Sequence, residues 1–304
     1  MKSMLVTGGT VFVSRFAAAY FAKRGWQVYV LNRASRPQVE GVTLIQADRH
    51  QLKNRLKKLH FDAVLDITAY NAQDVAALLD GLGSYGTYLL ISSSAVYPEN
   101  AAQPFSETTP VGSNRIWGAY GTDRIAAEEV LRKRVADAYV ICPPYLYGPM
   151  NNVYREAFVF DCALQERPFY LPGDGSMRLQ FFHVEDLCRL MEALLDQKPT
   201  QRIWNAGDPT TVTVREWVTL CYHAAGKEPT FVSVDESIEQ RNYFSFYRYE
   251  YALDVQQQSA LLAEVKSLDT GLTEALAWYW LHPDEVRRKP FFEYIKQHLQ
   301  SATE

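Results

Sequence analysis

The chain has 304 residues, 47% of them hydrophobic and 22% charged, and its 31 basic against 35 acidic side chains leave a formal charge of −4. At about 100 to 200 residues per domain this length makes one large α/β domain or a main domain with a smaller companion, enough for an enzyme-sized core. So balanced a charge excludes the broad positive field that attracts nucleic acid or anionic membrane without sequence preference, and no apolar run approaches the ~18 residues of a membrane helix.

Along the chain, β-rich runs occur at Ser3–Thr7, Gln27–Leu31, Thr43–Gln46, Ala63–Ile67, Tyr88–Ser92 and Ala138–Cys142. Helical stretches fall between them at Phe12–Arg24, Leu52–Leu59, Asn71–Leu82 and Tyr120–Arg134. Strands alternating with helices of about a dozen residues predict a parallel sheet covered on both faces. Because Met4-Leu5-Val6 already reads as strand, no signal or transit peptide is expected. After Pro149 the rhythm breaks at Pro168, Pro172, Gly173 and Gly175, and aromatic residues become dense. The run Leu179–Val184, the helical Asp186–Asp196 and a strand at Ile203–Ala206 return to the first unit. The expected division is therefore 1–149 with 179–222, and 150–178 with 223–304 as a smaller substrate domain. Cys142, Cys162, Cys188 and Cys221 form no C-x-x-C pair and have no histidine at ligand spacing. Reduced thiols, a cytoplasmic location and no metal site are the expectation.

Thr7-Gly8-Gly9-Thr10-Val11-Phe12-Val13-Ser14 joins the first strand to the first helix. Free N–H groups and the positive helix end face an anion at such a turn, and glycine lets the backbone approach it. The segment resembles the T-G-x-x-G-x-x-G turn of extended short-chain dehydrogenases/reductases, the NAD-dependent epimerase/dehydratase family. Gly8 is kept, while Val11 and Ser14 stand at the second and third glycines. Atypical members related to the chloroplast stem-loop-binding proteins read G-G-T-R-F-I-G, so a side chain at the second position occurs in the wider family. The resemblance implies a Rossmann-type doubly wound parallel sheet with a smaller discontinuous α/β substrate domain. It also implies cofactor contacts at Gly8, Gly9, Thr10, Phe12 and Val13, at Thr68 and Ala69 after the fourth strand, and at Pro143 and Tyr145. At the end of the second strand, Leu31-Asn32-Arg33 replaces the acid that would bind the adenosine ribose. Arg33 and Arg36 can pair with a 2′-phosphate, which favours NADP over NAD. Asp48 matches the family acid at the adenine, with Arg49 beside it.

Two further segments extend the resemblance. Ser92-Ser93-Ser94-Ala95-Val96-Tyr97 is similar to S-S-x-x-V-Y-G, whose catalytic hydroxyl falls on Ser93. Tyr120-Gly121-Thr122-Asp123-Arg124 is similar to Y-G-x-x-K, with Arg124 in place of lysine. A spacing of four sets Tyr120 and Arg124 one helical turn apart on one face. The chemistry needs that cation: a free phenol titrates near ~10, and a unit charge at ~5 Å with a dielectric of ~20 supplies ~3 kcal/mol of the ~4 needed to ionise half of it at neutral pH. By resemblance Tyr120 is the general base or acid, Ser93 holds the substrate oxygen, and Tyr120 and Arg124 also reach the cofactor. Sugar-nucleotide dehydratases carry T-D-E where Ser93-Ser94-Ala95 stands, so reduction or epimerisation is favoured over dehydration. Cys142-Pro143-Pro144-Tyr145-Leu146-Tyr147-Gly148-Pro149 is similar to the R-P-x-x-V-Y-G-P that lines the nicotinamide. His183 and Asp186, within Phe181–Leu187, are expected to be structural.

On the substrate side the candidates are Ser94, Asn151, Asn152, Tyr154 and Arg155, with Arg178 or Arg241 in place of the family's diphosphate-binding arginine. The expected protein is an NAD(P)-dependent oxidoreductase or epimerase acting on a nucleotide sugar or similar polar metabolite, as a monomer or homodimer. The alternative is a catalytically weakened cofactor-sensing or RNA-binding module on the same scaffold.

Overall fold

The computed structural model describes residues 1–300; residues 301–304, the end of the expected smaller domain, lie outside the described residues. The elements run β1 (Ser3–Thr7), α1 (Phe12–Lys23), β2 (Gln27–Asn32), β3 (Val42–Gln46), β4 (His60–Asp66), α2 (Ala72–Gly81), β5 (Ser84–Ile91), α3 (Ala119–Arg134) and β6 (Tyr139–Cys142). They continue with β7 (Tyr145–Tyr147), α4 (Glu156–Leu164), β8 (Phe169–Pro172), β9 (Arg178–Leu179), β10 (Phe181–His183), α5 (Val184–Gln197) and β11 (Ile203–Asn205). The last are β12 (Val212–Thr213), α6 (Val214–Ala224), β13 (Phe231–Val234), α7 (Gln256–Leu261), α8 (Leu268–Leu281) and α9 (Phe291–His298).

Each of the seven strands expected from the sequence enters one sheet, in the order β11-β6-β5-β4-β1-β2-β3. Every pairing in it is parallel. The pleat sends alternate residues to opposite faces. Met4 and Val6 meet α1 and α5 on one side, and Leu5 meets α2 and α3 on the other. The order reverses at β1, flanked by β2 and β4, so a crevice opens beyond the carboxyl ends of β1 and β4.

The helix expected at 52–59 does not form. A short 3-10 turn at Arg49–Gln51 gives way to successive tight turns, with Arg55 N–H donating to the Leu52 carbonyl and Leu59 N–H to that of Leu56, both at 3.0 Å. Lys53 sits in the left-handed region at φ 49°, which a right-handed helix cannot pass through. Leu52 and Leu56 are nevertheless both buried beneath the sheet, so their spacing of four reported shared burial without a helix.

A second core gathers α4, α6, α8 and α9 around the parallel pair β8–β13. Trp217 stacks on Phe181 with ring centroids 5.3 Å apart, and Phe158 packs edge-on to Phe291. α6, held by a Thr213–Glu216 capping box, buries Val214, Trp217, Val218, Cys221 and Tyr222. This stretch was expected with the first unit, in 179–222, and its side chains pack with the second. All four cysteines are free and buried. Among the described residues no helix is long and apolar enough to cross a membrane.

Candidate active site

Two adjoining hollows of about 360 and 470 Å³ occupy the crevice, each within the range of small-ligand sites. Val11, Thr68 and Tyr70 line both, which makes them one continuous cleft. At its centre lies the turn between β1 and α1. Gly8 has φ +90°, and a Cβ there would fall 2.8 Å from Ser14 Oγ and from Thr68 Cγ2. Ser14 fills the space left by the family's third glycine and ties its hydroxyl to the Val11 carbonyl at 3.0 Å. Val11 is extended, at φ −139° and ψ 135°, a conformation open to a β-branched residue. Phe12 takes a strained φ of 37°. No side chain caps α1, and no acid lies in its first turn. Its unsatisfied N–H groups and positive end therefore face the cleft ready for an anion, as a dinucleotide phosphate requires. Gly9 has φ +86°, and a Cβ on it would meet Val30 at 2.6 Å, so only glycine fits there.

Beneath the turn, Asp66 at the end of β4 is fully buried and accepts from the Thr7 hydroxyl at 2.8 Å, the Tyr88 hydroxyl at 2.7 Å and Arg49 Nη2 at 2.5 Å. Thr7 Oγ1 in turn accepts from the N–H groups of Ile67 and Thr68. This cluster locks the ends of β1 and β4 together and so sets the width of the crevice. Arg49 spends its charge on Asp66 and leaves a buried Nη1 without a partner.

The half of the cleft that holds Ser93, Tyr120 and Arg124 is assembled by α3 and the strand ends. Gly121 lets α3 come close to the 3-10 turn at Ser94–Val96, since a Cβ there would lie 2.4 Å from the Ala95 carbonyl oxygen. Ser93, Tyr120 and Arg124 line the same hollow. Ser93 Oγ accepts from the Ala95 N–H at 3.2 Å, which leaves its own O–H free to donate. Tyr120 is 41% exposed, so its phenol is open to a substrate. Arg124 is buried; its Nη1 donates to the carbonyls of Ala69 and of Ile91, the latter at 3.0 Å. Its Nη2 lies 3.4 Å from the Tyr120 hydroxyl. The guanidinium also lies 4.7 Å from the centre of the Tyr70 ring. Two backbone carbonyls thus hold a cation against the phenol. Behind this wall Ser92 donates to Glu128, whose carboxyl burial pushes above its usual range.

At the other end, Asn32 donates to the Gly8 carbonyl at 2.6 Å and braces the loop through Gln38 and Ala34. Arg33 and Arg36 are exposed, line the hollow with Asp48 and Arg49, and have no acid partner among the described residues. Asp48 caps the turn after β3 by accepting from the His50 N–H.

Several other expected residues are engaged elsewhere. Asn151 is buried and donates to Glu156 at 2.8 Å, and Tyr154 is buried and donates to Asp161 at 2.5 Å. Their neighbours Asn152, Val153 and Arg155 line the cleft instead. Arg178 donates to the hydroxyl and carbonyl of Thr211, and Arg241 to the Ser245 carbonyl, and neither lines the cleft. Ser94 donates to the Tyr251 hydroxyl at 3.0 Å, and Ala69 contributes only its carbonyl to Arg124. Pro143 lines the cleft, whereas Tyr145 turns into an aromatic cluster with Trp117, Phe181, Phe246 and Tyr251. Tyr70, Val153 and Arg287 also line the cleft and were not expected there. The one available signal was Tyr70, an aromatic set in a polar turn just past a strand end.

Away from the cleft, ligand atoms of His183, Glu185 and Glu274 converge. The Lys266 ammonium stands 2.6 Å from both glutamates, so the charge between them is supplied by the chain itself.

The model of the NAD dependent epimerase/dehydratase family matches residues 4–207. The chloroplast stem-loop binding protein of 41 kDa b from Arabidopsis thaliana is 25% identical over 299 residues, covering 90% of this chain and 78% of the relative. The 2′-dehydrokanamycin reductase of Streptomyces kanamyceticus is 25% identical over 295 residues, with the same shares covered. Among solved structures, UDP-glucuronic acid 4-epimerase from Bacillus cereus, in complex with UDP-glucuronic acid and NAD, superposes with a TM-score of 0.73 at 18% identity, covering 92% of this chain and 99% of that one.

Proposed function

The chain belongs to the NAD dependent epimerase/dehydratase family, and on that premise we propose that it is a nicotinamide-dinucleotide-dependent oxidoreductase or epimerase acting on a hydroxyl or ketone of a nucleotide sugar or similar polar metabolite. The observation that carries this reading is the meeting of Ser93, Tyr120 and Arg124 in one cleft with the uncapped start of α1. When bound, the nicotinamide accepts or supplies the hydride. Tyr120 moves the proton at the substrate oxygen through its exposed phenol. Arg124 stabilises negative charge developing on that phenol, and Ser93 donates its free O–H to the same substrate oxygen. Arg33 and Arg36, unpaired beyond β2 where Asn32 replaces an acid, favour NADP through its 2′-phosphate. No carboxylic acid stands at Ser94, which supports reduction or epimerisation over dehydration.

NADPH and NADH titrations followed by fluorescence, with a screen of nucleotide sugars and simple ketones for NADPH oxidation, test the reading. Micromolar binding, tighter for NADPH and levelled by Arg33→Ala with Arg36→Ala, is expected; no dinucleotide binding would sink it. The relative named as a stem-loop binding protein favours one second reading, a cofactor-sensing or RNA-binding module on the same scaffold. That reading predicts binding without turnover on any member of the screen.

A further inference from the structure

Residues 283–289, between α8 and α9, cross the mouth of the cleft, and two contacts hold them there. Glu285 pairs at 2.5 Å with Arg15, in the first turn of α1. Arg287 forms a parallel bridge with Val153, and its N–H donates to the Asn152 carbonyl at 2.9 Å. Between these anchors Val286 is buried, while Arg287 is exposed and lines the hollow shared with Gly8, Thr10, Val11 and Thr68. Among the described residues the Arg287 guanidinium has no acceptor.

The anchors locate Arg287 along the cleft. Arg15 belongs to the helix whose amino end faces the phosphates, and Val153 lines the catalytic half beside Val11 and Val13. Val11 and Thr68 line both halves, so the middle of a bound dinucleotide, its pyrophosphate, falls beside them. Arg33, Arg36 and Arg49 line the same end of the cleft, so Arg287 adds to a positively charged wall.

We propose that Arg287 is the pyrophosphate-binding arginine of this chain, delivered by the C-terminal strap to the place where Val11 has displaced a glycine from the phosphate turn; this rests on the dinucleotide reading above. A planar guanidinium grips two phosphoryl oxygens through parallel N–H donors. It supplies from the solvent side the contacts that a closer backbone supplies from below. The labour is then divided: Arg287 reads the diphosphate, while Arg33 and Arg36 read the 2′-phosphate.

Calorimetric titration of the full chain and of Arg287→Gln with ADP-ribose, NADP and adenosine 2′-monophosphate tests this. Loss of a charge-assisted pair predicts about tenfold or more weaker binding of ADP-ribose and NADP. Adenosine 2′-monophosphate, which carries no diphosphate, binds the variant as it binds the wild type. The melting temperature without ligand is unchanged, because the guanidinium makes no bond to the protein. Glu285→Gln, which frees one end of the strap, gives a smaller loss in the same direction. Unaltered ADP-ribose affinity in Arg287→Gln, with wild-type binding intact, overturns the role of Arg287 alone. An equal loss for adenosine 2′-monophosphate overturns it in favour of the 2′-phosphate. A wild type that binds none of the three overturns the dinucleotide reading and this inference with it.

Discussion

Replacing Arg124 with methionine keeps the bulk of the side chain and deletes its charge and donors. The phenol oxygen of Tyr120 lies 3.4 Å from Nη2. A unit charge at that distance contributes ~5 kcal/mol to a developing phenolate at an effective dielectric of ~20. Tyr120 is 41% exposed, and water in the mouth screens roughly half of this. The surviving ~2.5 kcal/mol corresponds to a turnover loss on the order of 100-fold. The same change strips the buried carbonyls of Ala69 and Ile91 of their donor, at about 1 to 3 kcal/mol each, so the melting temperature falls by several degrees. Arg124→Lys is the control. Both carbonyls are served by Nη1 alone, so a single ammonium at that place holds them, and turnover stays within about tenfold of the wild type. Steady-state turnover on the substrate found by the NADPH screen, with thermal melts of all three proteins, decides the matter. Arg124→Met turning over within about threefold of the wild type would refute the cation's role.

Three shorter predictions follow from the same geometry. Gly121→Ala places a Cβ 2.4 Å from the Ala95 carbonyl and must shift the start of α3; a loss of ~1 to 3 kcal/mol in denaturant unfolding and a matching fall in turnover are expected, and unchanged turnover contradicts the packing argument. Val11→Gly lowers stability by ~0.5 to 1 kcal/mol, because Val11 is already unstrained, and leaves dinucleotide affinity equal or tighter; binding weakened about tenfold would mean that the valine itself contacts the ligand. Burial, with the nearby Lys266 ammonium, pushes His183 down to about 3. Between there and the ordinary ~6.5 the unfolded chain binds more protons, so stability is lost as the pH is lowered, by up to ~1.4 kcal/mol per unit. Glu185, held low by its hydrogen bond to Lys266, adds loss of the same sign at more acid pH. Melting temperatures that stay level or rise from about pH 7 to about pH 5 would contradict this sign.

The parallel sheet was legible because each strand is a short apolar run, and burial on both faces demands that composition wherever helices cover both sides. The turn between β1 and α1 and the Tyr120–Arg124 pair were legible because they are local, set by spacings of a few residues. The turns after β3 were not, because paired leucines read alike in a helix and in successive turns once Lys53 adopts a positive φ. Adjacent substrate-side candidates could not be told apart: in the irregular segment after Gly148, Asn151 and Tyr154 point into the protein while Asn152 and Arg155 face the cleft. Long-range partners decided the rest. Nothing in sequence joins Arg178 to Thr211, Arg15 to Glu285, or α6 to the core of the smaller unit.

The central claim is that Tyr120 performs proton transfer in a cleft built for a dinucleotide. Its most direct test is Tyr120→Phe measured for NADPH affinity and for turnover in parallel. An unchanged dissociation constant with turnover reduced by about 100-fold or more is expected. A variant that turns over like the wild type would contradict it.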